Sequence, residues 1–392
     1  MKFMIKGALW LMPALAFAPS AFALAPATLS DSEQPGSVIV YSKFVGGAIG
    51  VAGSVPPVTV DGITGISRTE IEIGAVCPTG ATPGVGLCAK HAPVFVNFHW
   101  VCPGTEGVNS NICKENSFQV ALSIDGKLAF SADGTPINTN SPRVLPPPCP
   151  RGYLIGWVVN SAGAPIKFDA LVGNGVLRGP NIAGESTAVS AYAAITIQAN
   201  PVDAVGATLS LPLDFDGLSG GYSEITGVQI ADVKFDRMVS APPPAVPQPN
   251  VLSVTTLNLL TLDVMSGRPN NPTFVPYLFF NESDAAPSGT NPLFENPTDG
   301  TLSFVCWAQL LLSTDIDASL TQVFQGTRKG LVIAGPATKV EDGHAPGDEI
   351  GPVTLLGLVE TVEGTAANNF QERRYNYVPS NNGVPVPTTF VP

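Results

Sequence analysis

Charge is scarce in this chain. Asp, Glu, Lys and Arg make up 13% of its 392 residues, about half the usual quarter. What charge there is leans acidic, with a net of −12 and no run of Lys or Arg. Such a surface repels a phosphate backbone, so nucleic acid is excluded as a partner. Histidine is rarer still, at three residues. No Cys-x-x-Cys or His-x3-His spacing occurs, which sets zinc far below disulfides as the use of the cysteines. There is no Gly-x-Ser-x-Gly elbow. The glycines Gly46, Gly47, Gly50 and Gly53 are followed by no Lys-Ser/Thr pair and open no helix, so they are not a phosphate loop. After the first residues no uninterrupted apolar run of about 18 appears, so no transmembrane helix is expected. Capped amphipathic helices are missing too.

What is present begins with an export signal. Lys2 and Lys6 precede an apolar stretch from Gly7 to Ala18, and Ala21-Phe22-Ala23 supplies the small residues a signal peptidase reads. Residues 1–23 therefore read as a secretory signal peptide, with Leu24 as the mature N-terminus. No cysteine stands near the cut, since the first is Cys77. Losing Lys2 and Lys6 moves the net charge from −12 to −14. The expected location is extracellular or periplasmic.

Glycine and proline are abundant, at 40 and 38 residues, with no collagen period, and 44% of the chain is hydrophobic. That combination describes a folded, turn-rich protein rather than a disordered one. The apolar period is two almost throughout. Ile71 and Ile73 alternate with Glu70 and Glu72. Val94, Val96, Phe98 and Trp100 share one face, as do Phe118, Val120, Leu122 and Ile124. Further strands are expected at Ser37–Val45, Tyr153–Val159, Ile166–Val172, Val189–Gln198 and Val228–Phe235. The second half adds Leu257–Val264, Val275–Asn281, Leu302–Leu312, Gly330–Ala334 and Val353–Val362. Asp125-Gly126 and Asp133-Gly134 mark hairpin turns.

Many short strands between Gly/Pro turns point to an all-β fold built of sandwiches. Five prolines between Ala241 and Asn250 cannot join a central strand. The expected organisation is two β-sandwich-like domains, 24–240 and 251–392, joined by a Pro-rich linker at 241–250. A second proline cluster, Pro142 to Pro150, reads as a loop covering the first domain.

Six cysteines in an exported chain read as disulfides. Cys77 and Cys88 stand eleven apart, and so do Cys102 and Cys113, each pair bracketing a Gly/Pro loop. The expected pairs are Cys77–Cys88, Cys102–Cys113 and, by elimination, Cys149–Cys306.

The runs Pro35-Gly36-Ser37-Val38-Ile39-Val40-Tyr41 and Pro150-Arg151-Gly152-Tyr153-Leu154-Ile155-Gly156-Trp157 resemble exported bacterial β-rich proteins of unknown function. The resemblance implies export and β-structure and carries no chemistry.

Few residues offer chemistry. His99 lies opposite Trp100 on its strand, where a hydrogen-bonded sheet histidine outweighs a catalytic base. His91 and His344 sit in loops. Carboxylates recur two apart at Glu70/Glu72, Asp214/Asp216 and Asp315/Asp317, a spacing that puts both on one strand face, suited to acid–base work or to Ca²⁺. A solvated outer face is the competing use. Asp214 and Asp216, followed by Gly217, form the better Ca²⁺ candidate, and the acidic loop from Glu341 to Glu349 is the next. Trp100, Trp157 and Trp307 stand in apolar strands, which favours core packing over a sugar platform. The reading is an exported, non-enzymatic structural or adhesive protein of a cell surface, envelope or matrix. Its partners would be other surface macromolecules, including glycans. A carbohydrate-active enzyme or carbohydrate-binding module using a carboxylate pair is the alternative.

Overall fold

The computed structural model describes residues 34–46, 59–60, 63–64, 68–103, 113, 115–178, 181–182, 185–186, 189–199, 206–208, 230–236, 251–262, 273–281, 301–304, 306–311, 329–334, 338–340, 349–352, 355–365 and 372–378. Among these residues the secondary structure is strand, apart from one 3₁₀ turn at Gly86–Cys88, and every named pairing is antiparallel. No helix of the described residues is long and apolar enough to cross a membrane. The all-β expectation holds.

The centre is a five-stranded sheet. Its order runs Ile195–Ile197, Val38–Val45, Arg151–Val159, Pro93–Val101, Glu115–Ser123. A four-stranded sheet lies on one face, in the order Val189–Ala193, Leu171–Arg178, Arg68–Ala75, Lys127–Ser131. Alternation sends Ile39, Tyr41, Val96, Phe98, Trp100 and Leu154 inward to meet Ile71, Ile73, Phe130 and Leu177. At the middle of this core are aromatic rings. Trp100 packs edge-on against Phe44 at 4.9 Å, and Phe98 stacks on Phe118 at 5.5 Å.

The opposite face of the central sheet is covered as well. Val38, Val40, Tyr153, Ile155, Trp157 and Ile197 pack against Leu260, Leu262, Trp307 and Leu356. Those residues come from or adjoin a second four-stranded sheet, in the order Trp307–Leu311, Val251–Leu260, Leu356–Thr365, Glu372–Val378. This explains why Val38–Val45 and Arg151–Val159 are buried at nearly every position rather than at every second one. Among the described residues, three polar contacts cross the junction. Trp307 Nε1 donates to the Ser42 carbonyl at 3.0 Å, Tyr153 Oη to the Thr261 carbonyl at 3.1 Å, and Arg151 to Gln309 Oε1 at 2.5 Å. A six-stranded sheet holds Ile230–Asp236, Lys329–Ala334, Thr273–Asn281, Thr338–Val340 and Glu349–Pro352 in order, with Thr301–Phe304 also paired to Thr273–Asn281, and two short hairpins pair Thr59–Val60 with Ile63–Thr64 and Asn181–Ile182 with Glu185–Ser186. The proposed boundary at 241–250 lies outside the described residues.

Three expected strands come out differently. Ile166–Val172 is mostly connection, and the strand begins at Leu171. It runs through Gly173, where a β-carbon would collide with the Tyr41 hydroxyl and the Glu72 carbonyl. The glycine marks a close approach of chain to side chain, which weakens the strand signal in the sequence. Val189–Gln198 is broken at Ala194, with Val189–Ala193 in the outer sheet and Ile195–Ile197 in the central one. Leu302–Leu312 is likewise split, because the chain changes sheet there. Cys306 takes a left-handed backbone, with φ of 64°, a sparsely populated conformation for a residue other than glycine.

All six cysteines are bonded. Cys77–Cys88 forms as the spacing implies, with Cα atoms 5.4 Å apart. The other two expected pairs are wrong. Cys102 bonds Cys149 and Cys113 bonds Cys306, at Cα separations of 5.9 and 6.4 Å. Alternation supplies the reason. Cys102 follows Trp100 by two and so shares its inward face, where Cys149 also packs. Cys113 precedes Glu115 by two and lies on the opposite face, in the second core with Cys306. Two cysteines on opposite faces of a sheet cannot meet, however near they stand in sequence.

The proline cluster is a cover over the first core. Trp100 Nε1 donates to the Leu145 carbonyl at 2.7 Å and Asn116 Nδ2 to the Pro146 carbonyl at 3.0 Å. Val144 is buried beneath it, and Cys149 pins the end of the loop.

Candidate functional site

A polar patch lies at the open flank of the central sheet. The strands Pro93–Val101 and Glu115–Ser123 pair in continuous register from Pro93↔Ser123 to Val101↔Glu115. Residues sharing the far face of these strands are Asn97 and His99 on one and Glu115, Ser117, Gln119 and Ala121 on the other. The covering sheet does not extend over the outer strand, since Glu115, Ser117, Gln119 and Ala121 are exposed.

His99 is the hub of this patch. Its ring stacks on Trp157, with centroids 4.4 Å apart and planes 17° apart. Nδ1 is paired with the Glu115 carboxylate. Nε2 lies 3.1 Å from the Asn97 side-chain nitrogen. Ser117 stands opposite His99 in the ladder. Yet both ring nitrogens are engaged, so neither is left to draw a proton from the hydroxyl. A nucleophile and its base need that contact. The arrangement is a carboxylate-oriented histidine whose far nitrogen is capped by an amide, suited to shaping a surface.

Glu70 is committed as well. It is buried, with Arg68 at 2.9 Å and an ion pair to Arg178 on the neighbouring strand. The two guanidiniums occupy both carboxylate oxygens. Trp100, Trp157 and Trp307 are all buried, so none forms a sugar platform. His91 lies in a turn with φ of 68°. Asp214, Asp216, Asp315, Asp317, His344 and the acidic loop 341–348 lie outside the described residues. Among the described residues no cluster of three or more His, Cys, Asp or Glu could hold a metal.

One group escaped the sequence reading. Asp169 is buried in the connection before Leu171–Arg178, where its Oδ1 accepts from the Ser37 hydroxyl at 2.6 Å and the Ala199 amide at 2.7 Å. The Ser37 oxygen in turn accepts from the Phe168 amide at 2.7 Å. Burial raises the Asp169 pKa above the usual carboxylate value, against the lowering pull of these hydrogen bonds and of Lys167. The cluster ties the start of the first strand to two later segments. Its only signal in the sequence is the pair Lys167 and Asp169, two apart in an otherwise apolar run.

No protein-family model matches the chain, and no curated protein does.

Proposed function

We propose that this is an exported, non-enzymatic protein with a structural or adhesive role at a cell surface, envelope or matrix, where it binds other macromolecules through sheet faces and loops. One observation supports the reading: among the described residues, three groups that could do chemistry are engaged in contacts within the fold. His99 is occupied by Glu115 and Asn97, Glu70 by Arg68 and Arg178, and Asp169 by Ser37 and Ala199. The cysteines are all in disulfides, which suits an oxidising compartment. A weakly charged surface adds little electrostatic repulsion to close packing against neighbours. Fold alone does not assign a role, so the test is direct. The purified mature chain is applied to envelope or matrix preparations and to a glycan array, alongside a glycosidase screen. Saturable binding without turnover is expected. Turnover of any glycoside overturns the non-enzymatic reading in favour of a carboxylate-pair enzyme.

A further inference from the structure

Strands at the ends of sheets offer unpaired N–H and C=O groups, and proteins that stay monomeric guard them by shortness, charge, proline or a bulge. Most sheet ends here are guarded. Ile195–Ile197, Lys127–Ser131, Val189–Ala193 and Trp307–Leu311 have three to five residues, and Glu349–Pro352 has four. The longer ends carry charge: Glu372, Arg373 and Arg374 in Glu372–Val378, and Asp232, Lys234 and Asp236 in Ile230–Asp236.

Glu115–Ser123 is the exception. It is nine residues long, contains no Lys, Arg, Pro or Gly, and runs without a register shift beside Pro93–Val101. Among the described residues no strand pairs with its other side. Its one charge, Glu115, sits at the first position and is already paired with His99. Phe118 on the inward face is only partly buried, though it belongs to the aromatic cluster.

We propose that a second copy of this chain pairs antiparallel with Glu115–Ser123, about a two-fold axis at Gln119, and joins two five-stranded sheets into one. The sequence of the strand is self-complementary in that register. Gln119 faces Gln119 of the partner copy, Ser117 faces Ala121, Phe118 faces Val120, and Glu115 faces Ser123. Uncharged side chains therefore meet along the exposed face. The two Glu115 carboxylates stand at opposite ends of the ladder, so no like charges oppose each other. The half-covered Phe118 gains an apolar neighbour from the other copy. A symmetric, isologous contact of this kind closes on itself and stops at a dimer. The inference concerns self-association and stands independently of the surface role proposed above.

Two measurements on the mature chain test it. Sedimentation at high micromolar concentration should show a monomer–dimer equilibrium, and Gln119→Lys should weaken the dimer at least about tenfold, because two ammonium groups then face each other across the axis. Its thermal unfolding should match the wild type, since residue 119 is exposed. The geometry is read by cross-linking. Opposed β-carbons in such a ladder lie about 5 Å apart, so Gln119→Cys should form a 119–119 disulfide on mild oxidation. Ser117→Cys alone should not, being offset from its copy by about 13 Å, whereas Ser117→Cys mixed with Ala121→Cys should. Non-reducing peptide mapping identifies the bonds. A wild-type chain that stays monomeric overturns the proposal. So does a dimer in which Ser117→Cys cross-links to itself as fast as Gln119→Cys, which places the contact elsewhere.

Discussion

Asp169 shows what a buried charge costs this fold and how to measure it. Folding strips water from the carboxylate, and its pKa rises above the ordinary value despite two hydrogen bonds to Oδ1. Between the ordinary and the raised value the folded chain holds a proton that the unfolded chain has released. Stability therefore falls as pH rises through that window, and the penalty is complete above the folded pKa. Asp169→Asn keeps an acceptor for Ser37 and Ala199 but has no charge to desolvate. The melting temperature of Asp169→Asn relative to wild type should climb as pH is raised from the acid range to neutrality. A difference that does not change with pH sinks this account. Asp169→Ala should instead cost about 1–3 kcal/mol in denaturant unfolding, since the Ala199 amide is left buried without a partner.

Strands were legible from the sequence wherever polar and apolar side chains alternate. Ile71 and Ile73 between Glu70 and Glu72, or Phe118, Val120 and Leu122 between exposed neighbours, gave period-two patterns that the ladders follow. Where the chain changes sheet the pattern misleads. The apolar runs through Ala194 and Cys306 read as single strands because residues on both sides of the break are buried. The first disulfide was legible because its loop closes locally. The other two depended on which face each cysteine occupies, and the parity of Cys102 and Cys113 was already available from Trp100 and Glu115. His99 was correctly read as a sheet histidine, although its stacking on Trp157 needed the cross-strand register. A prediction follows at this scale. Cys102→Ser with Cys149→Ser should free the proline loop and expose Trp100, whose indole donates to Leu145. Tryptophan fluorescence should shift to longer wavelength with the strands retained in circular dichroism. An unshifted spectrum would mean the prolines and Asn116 hold the loop unaided.

At the scale of the molecule, the central sheet needs both of its neighbours. Val38–Val45 and Arg151–Val159 bury apolar side chains on each face, and the second face is completed by Leu260, Leu262, Trp307 and Leu356 from the later part of the chain. Hydrophobic burial over that face is what couples the two parts, and Cys113–Cys306 adds a covalent tie spanning 193 residues. Trp307→Ala should cost about 3–5 kcal/mol, through lost packing and the lost hydrogen bond to Ser42. Breaking the tie with Cys113→Ser and Cys306→Ser should cost about 5 kcal/mol on the chain-entropy account of so long a loop. Limited proteolysis separates the tie from the packing. A broad-specificity protease is expected to cut first in the segment 241–250, whose five prolines lack the N–H a ladder needs. The cut wild-type chain should run as one band without reductant and as two with it, while the double serine variant gives two bands either way. In native gel filtration, however, both cut proteins should elute as a single species, because the second face of the central sheet still holds its cover. Two separately eluting fragments from the cut serine variant would show that the disulfide, and not the packing of Trp307 and its neighbours, keeps the parts together.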